Sequence, residues 1–266
     1  MKHLISKKNR ALLIELVRTD FKLRYQGSIL GYTWSLLKPL LMFVILYIVF
    51  VKFLKIGKGI EHYPVYLLLG IVLWGFFTEM TSQSLGSIVG RGDLIRKIKI
   101  PRWIIVISSS VSALINLFLN LVVIIIFIIL NKVDLHASSL LLVFSLVELY
   151  VFSLGVSLLL SAAYVKYRDI SYIWEVVLQA GFYATPILYP LTLIPNITVQ
   201  KILLINPIAQ AVQTARYNVV TTQTVTSTVI SDNKLYIMLP ILITLATLLV
   251  GALYFKKESK YFAENI

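Results

Sequence analysis

Glu79, Glu148 and Glu175 stand inside segments otherwise rich in leucine, valine, isoleucine and aromatic residues. A carboxyl in such a segment is costly to bury, so each is a candidate acid, base or path-lining group. Gln83 follows Glu79 by one helical turn, and Gln179 follows Glu175 in the same way. Both pairs can line a polar path or pair with basic loop residues. Ser109, Ser112, Asn116 and Asn120 recur at helical spacing. We read that stripe as hydrogen bonding between packed helices, with a polar path as the alternative. A membrane-embedded transferase acting on polyprenyl-linked sugars needs carboxylates that converge near a membrane face, and the three glutamates fall on three different helices.

Other chemistry is excluded by what the chain lacks. His3, His62 and His136 are far apart, so a metal site is not expected. There is no cysteine, which removes thiol catalysis, disulfides and cysteine-ligated metals. The glycines of "GSIVGRGD" (86–93) lack the lysine and the preceding strand of a phosphate loop. The chain is therefore expected to hold no catalytic residue, metal or cofactor of its own.

The elements that position these residues are apolar helices. The chain has 266 residues, 58% hydrophobic and 14% charged, with a mean hydropathy of +0.85; a soluble domain carries about 25% charged residues. Long apolar blocks separated by charged loops predict an all-α membrane protein, since lipid offers the backbone no hydrogen-bond partner. Five spans are plain, at 29–51, 63–88, 103–130, 138–165 and 235–255. A sixth at 170–190 is shorter and interrupted. With both termini in the cytoplasm, most of the 25 lysines and arginines fall inside; Lys52, Lys55 and Lys58 cluster against that bias, on the outside. The net charge of +13 is read as a basic face on anionic lipid and not as a nucleic-acid surface. The basic N-terminus has no uninterrupted apolar core and does not read as a cleaved signal. We expect a multi-pass protein of the cytoplasmic membrane.

Residues 12–25 form an amphipathic pattern, with Glu15, Arg18, Thr19 and Lys22 on one face, predicting a helix on the inner membrane surface. Asp20 and Arg24 are spaced to pair with each other. Gln26, Gly27 and Ser28 then make a bend. Gly31 permits a close helix contact, Trp34 marks the interface, and Pro39 falls in the first turns of the span, where a missing N–H costs least. That moves the expected span start from Ile29 toward Leu36. Lys38 is read as snorkelling to the inner surface. The loop "GRGDLIRKIKIPRW" (90–103) mixes charges with apolar residues and predicts a short amphipathic helix ended by Pro101, suited to docking a partner. Arg168 and Asp169 open a helix, where an aspartate suits the positive end of the dipole. Prolines 186, 190, 195 and 207 break the region 191–234, which predicts short helices dipping into the outer leaflet.

In order along the chain, "LRYQGSILGYTWSLLKPLL", "IPRW", "YRDI", "ATPILYP" and "NPIAQAVQTAR" resemble the ABC type-2 permeases that export lipid-linked polysaccharides such as O-antigen, teichoic acid and rhamnose-rich wall polymers. The resemblance runs from about residue 15 to 255. It implies one transmembrane domain over 1–266: an interface helix at 1–28, a six-span bundle at 29–255 and a tail at 256–266. It further implies pairing with a second copy and a separate cytoplasmic ATPase dimer that binds ATP and Mg, with membrane lipid and a lipid-linked glycan as the other partners and no nucleic acid. By the same resemblance, Glu15, Arg18, Asp93, Arg96, Lys97, Lys99, Arg168 and Asp169 face the ATPase. Tyr32, Trp34, Lys38, Trp74, Phe77, Glu79, Glu175 and Tyr183 are candidates for the substrate path, the aromatics among them (with Phe76) as sugar-stacking surfaces or, alternatively, interfacial anchors, and Lys38, the alternative to its snorkelling, as a group that meets a lipid pyrophosphate. Pro186, Pro190, Asn206, Pro207 and Arg216 fall in the outer gate. A small-molecule or drug permease of the same family, and the transferase, are the alternative functions.

Overall fold

The computed structural model describes residues 7–57, 59–97 and 100–265. Lys99, His3 and Lys58 lie outside the described residues. The described chain is helical: α1 (Lys7–Tyr25), α2 (Trp34–Tyr47), α3 (Tyr63–Ser87), α4 (Gly92–Lys97), α5 (Trp103–Leu130), α6 (Leu142–Lys166), α7 (Ile170–Ala184), α8 (Ile197–Leu204), α9 (Pro207–Val219), α10 (Ser227–Ile230), α11 (Lys234–Glu258) and α12 (Phe262–Asn265). Five helical runs are long and apolar enough to cross a membrane: Gly31–Phe53, Tyr63–Ser87, Trp103–Leu130, Ala137–Lys166 and Lys234–Asn265.

α3 is the central post. Its first half, Tyr63–Phe77, is apolar on every side and almost wholly buried, as expected of a helix with neighbours all round; polar residues, Glu79 and Gln83 among them, enter only in its second half. Helices α2, α5, α6, α7 and α9 pack around it. α6 and α11 cross closely where Gly155 faces Thr247, Leu248 and Gly251; a Cβ on Gly155 would stand 2.7 Å from the Leu248 backbone nitrogen. Small residues at that crossing let the backbones touch, which is how helices gain dispersion contact in lipid.

The approach to α2 departs from expectation in two places. Gly27 and Gly31 have φ of +77° and +49°, the left-handed region that glycine enters without strain. Nothing lies within 4 Å of where a Gly31 side chain would start. Gly31 therefore serves the bend and makes no close helix contact among the described residues of this chain. Helical structure begins at Gly31 and α2 at Trp34, so Pro39 sits inside the helix and not in its first turn. A proline there leaves the carbonyl four residues earlier without its N–H. That carbonyl belongs to Ser35, and the Asn120 side chain of α5 donates to it at 3.3 Å. The cost of Pro39 is offset by a neighbouring helix.

α7 is 15 residues long, about 22 Å at 1.5 Å per residue against an apolar core of about 30 Å. It stops at Thr185 because Pro186 holds that residue extended, at φ −84° and ψ 138°. Between α7 and α11 the chain folds into α8, α9 and α10. α9 is buried along most of its length, packed on α6, α3 and α11.

Candidate functional site

Arg216, near the end of α9, is the largest fully buried side chain. Its Nε donates to the Tyr66 carbonyl at 2.9 Å. Nη1 donates to the Pro186 carbonyl at 2.6 Å and to Gln213 Oε1 at 3.1 Å. Nη2 donates to the Ile187 carbonyl at 2.6 Å. The guanidinium also lies 3.7 Å from the centre of the Tyr66 ring. A planar fork with five donors suits this arrangement, and the ring face and carbonyl dipoles offset the buried charge. Space for it comes from Gly70, where a Cβ would collide with Nη2.

The next carbonyl, that of Leu188, accepts from the Tyr63 hydroxyl at 2.7 Å. Three consecutive carbonyls, Pro186 to Leu188, are thus tied to α9 and α3 at the point where α7 breaks. Tyr63 and Tyr66 stack, with centroids 5.8 Å apart, and the Tyr66 hydroxyl donates to Gln213 at 3.3 Å. Asn206 caps α9, accepting from the Ile208 N–H at 3.0 Å, with Pro207 at the first helical position. Gln210 reaches Ser227 Oγ at 2.8 Å, and the Tyr236 hydroxyl of α11 donates to the Lys201 carbonyl of α8 at 2.8 Å. The whole segment from 185 to 233 is knitted to the Tyr63 end of α3. Four of its anchor residues, Pro186, Asn206, Pro207 and Arg216, were singled out by motif, and Pro190 is buried beside them. The receptors Tyr63, Tyr66 and Gly70 were not; a glycine within an apolar helix was the one available signal.

At the other end of α3 a second apolar cluster joins Leu16 of α1, Ile88, Ile95 of α4, Ile104 and Ile105 of α5, and Phe255 and Phe262. Arg91 locks it, pairing with Asp20 of α1 and donating to Ser108 Oγ at 3.3 Å. Asp20 therefore pairs across the fold with Arg91; the Arg24 side chain, its expected partner by local spacing, lies outside the described residues. Glu15, Arg18, Thr19 and Lys22 are exposed on α1, and Asp93, Arg96 and Lys97 on α4. Arg96 and Asp93 form an exposed pair at 2.9 Å, worth little to stability. Arg168 is exposed, 5.2 Å from the centre of the Tyr164 ring. Asp169 begins α7, but its side chain makes no capping bond.

The substrate-path candidates separate into two sets. Trp74 and Phe77 are interior: Trp74 packs on Phe77 and Phe182, and Phe77 on Phe152 and Trp174. Phe76 is buried as well. They build the core of this chain and present no open stacking face. Tyr32, Trp34, Lys38, Glu175 and Tyr183 are exposed on the first helical run and on α7. Glu79 accepts from Gln83 Nε2 at 2.7 Å and from the Asn116 amide of α5. With Asn120 bonded to α2, half of the Ser/Asn stripe serves helix–helix bonding. Ser109 and Ser112 bond carbonyls of their own helix. Glu148 lies on α6 and Glu175 on the exposed face of α7, so the three carboxylates stand on three helices. Among the described residues no group of three His, Asp or Glu side chains is placed to hold a metal ion.

A family profile described as ABC-2 type transporter matches residues 11–220. The O-antigen export system permease protein RfbA of Myxococcus xanthus is 30% identical over 200 residues, which covers 74% of this chain and 76% of that protein. A protein of the same name from Klebsiella pneumoniae is 29% identical over 205 residues, covering 76% of this chain and 77% of that protein. A second Klebsiella pneumoniae protein of that name is 28% identical over 202 residues.

Proposed function

The chain belongs to the ABC-2 type transporter family, as a membrane transport subunit and not an enzyme, and on that premise we propose that it is the permease of an ATP-driven exporter of lipid-linked polysaccharide. The observation that carries this reading is the similarity to O-antigen export permeases over about three quarters of both chains. In this reading the protein sits in the cytoplasmic membrane with both termini inside. Two copies enclose the path, and a separate ATPase dimer binds ATP and Mg.

The geometry supports that division of labour. The Ile88 end of α3, with the charged faces of α1 and α4 joined through Asp20–Arg91, is the ATPase-facing end. Arg168 and Asp169 at the α6–α7 junction are assigned to the same face, as is Lys99. The Tyr63 end is the outer gate, where α8 and α9 are the re-entrant helices and α7, with the extended segment that follows it, is the sixth crossing. The exposed residues Tyr32, Trp34, Lys38, Glu175 and Tyr183 line the path between copies. Glu79 is held by Gln83 and Asn116 beside that path. The substrate is a polyprenyl- or lipid-linked glycan of the O-antigen, teichoic acid or rhamnan type.

Removing the gene from cells and locating the glycan tests the reading. Lipid-linked glycan should accumulate on the inner side of the membrane, and re-expression should restore it outside. Normal surface glycan in the deleted strain would defeat it.

A further inference from the structure

Beside the Arg216 hub is a cavity of about 260 Å³, walled by Gly57, Gly59 and Ile60, by residues 190–193, by Thr221 and by residues 223–225, with Tyr66 also in its lining. We infer that this cavity is a subsite for one neutral sugar ring of the transported glycan. The inference rests on the permease reading above and adds to it a binding site at the outer end.

The chemistry of the lining is the argument. Thr192, Thr221, Gln223 and Thr224 supply hydroxyl and amide groups, and Ile60 and Leu191 supply apolar surface. None of the described lining residues is charged. A sugar ring has hydroxyls at its edge and C–H groups on its faces, and this lining matches both. Among the described lining residues a phosphate would find no counter-charge, and a lipid tail would strip water from hydroxyls without replacing it. The volume is just below the roughly 300 Å³ at the lower limit of ordinary ligand pockets, which suits a single ring.

Thr224 gives a second, independent observation. It is 5% exposed, its N–H donates to the Thr221 carbonyl at 3.3 Å, and its hydroxyl oxygen is buried with no hydrogen-bond partner. A buried hydroxyl without a partner costs free energy unless something completes it. Thr221 Oγ1 accepts the Gln223 N–H at 3.3 Å and keeps its own proton to donate. Gly57 fixes the facing wall: its φ is +92°, and a Cβ there would stand 2.6 Å from the Tyr63 ring. The Tyr66 ring is already engaged by Tyr63 and Arg216, so it forms a wall and not a stacking platform.

The test is saturation-transfer NMR on the full chain in lipid nanodiscs prepared free of sugar-headed detergent. The probes are methyl pyranosides of glucose, mannose and rhamnose, with glucose 1-phosphate as the charged comparator. At least one neutral pyranoside should bind, and Thr224→Val should weaken it about fivefold, as expected for one lost neutral hydrogen bond. Thr224→Val is nearly isosteric and removes a hydroxyl that bonds nothing in the chain, so its melting temperature should match the wild type. Gln223→Ala, on an exposed residue, should also weaken binding. Absence of binding by all three neutral probes, equal binding to both variants, or tighter binding of glucose 1-phosphate would each overturn the subsite. Export by wild-type cells is scored separately. Export with an empty pocket removes the subsite and leaves the permease reading standing; pyranoside binding without export removes the permease reading.

Discussion

Arg216 is surrounded by three backbone carbonyls, a glutamine side chain and an aromatic face, and a lysine cannot replace it there. A point-charge ammonium with three donors cannot span that fork. Arg216→Met leaves the Pro186 and Ile187 carbonyls without their donor, at about 1–3 kcal/mol for each group that finds no water; the Tyr66 carbonyl, inside α3, keeps its helical N–H. Melting temperature in nanodiscs should fall in the order wild type, Arg216→Lys, Arg216→Met; equal melting of all three would contradict the hub. Gly70→Ala should destabilise the wild type far more than it destabilises Arg216→Ala, because its Cβ collides with Nη2 only when the guanidinium is present. That non-additivity is what a double-mutant cycle reads. A second cycle tests α2: Asn120→Val frees the Ser35 carbonyl and should cost about 1 kcal/mol. Pro39→Ala restores an N–H to that carbonyl and should reduce the loss. Equal losses with and without Pro39 would show that Asn120 does not compensate the proline.

At the scale of elements, α1 is tied to the bundle by Leu16 and by the Asp20–Arg91 pair. Asp20→Asn or Arg91→Gln should each expose α1 to limited proteolysis. The swapped pair Asp20→Arg with Arg91→Asp should restore protection, and failure of both singles to change the cleavage rate would remove the tie. The existence of α1, α3, α5, α6 and α11 was legible in the sequence, because each is a long apolar or amphipathic run with clear ends. The partners were less so. Asp20 has a basic residue at local spacing, but its partner Arg91 lies 71 residues away in sequence and only the fold brings it near. Trp74 and Phe77 read as conduit aromatics because a helix apolar all round does not reveal which face meets lipid and which meets protein. Arg216, Asn206 and Pro207 were legible by motif, whereas Tyr63, Tyr66 and Gly70 sit in a distant, featureless apolar segment and required the fold to be seen. Pro39 was placed one turn too early, since helix structure begins at Gly31.

At the scale of the whole molecule, the Arg216 hub and the charged faces of α1 and α4 stand at opposite ends of the same central helix; under the proposed reading these ends are the outer gate and the ATPase-facing side. α3 carries the hub carbonyl of Tyr66 at one end and leads into Arg91 at the other. Reversing the exposed charges, with Asp93→Lys and Lys97→Glu together, should leave melting unchanged and reduce the stimulation of a partner ATPase by the permease; unchanged stimulation would take α4 out of the coupling surface. The central claim is tested most directly in proteoliposomes containing this chain, its cognate ATPase and a labelled lipid-linked glycan. The measurement is the rate at which the glycan reaches the leaflet opposite the ATPase. The account predicts transfer that needs ATP and both proteins, with no ATP hydrolysis by this chain alone. Equal transfer without ATP or without the ATPase, or hydrolysis by the isolated chain, would contradict it.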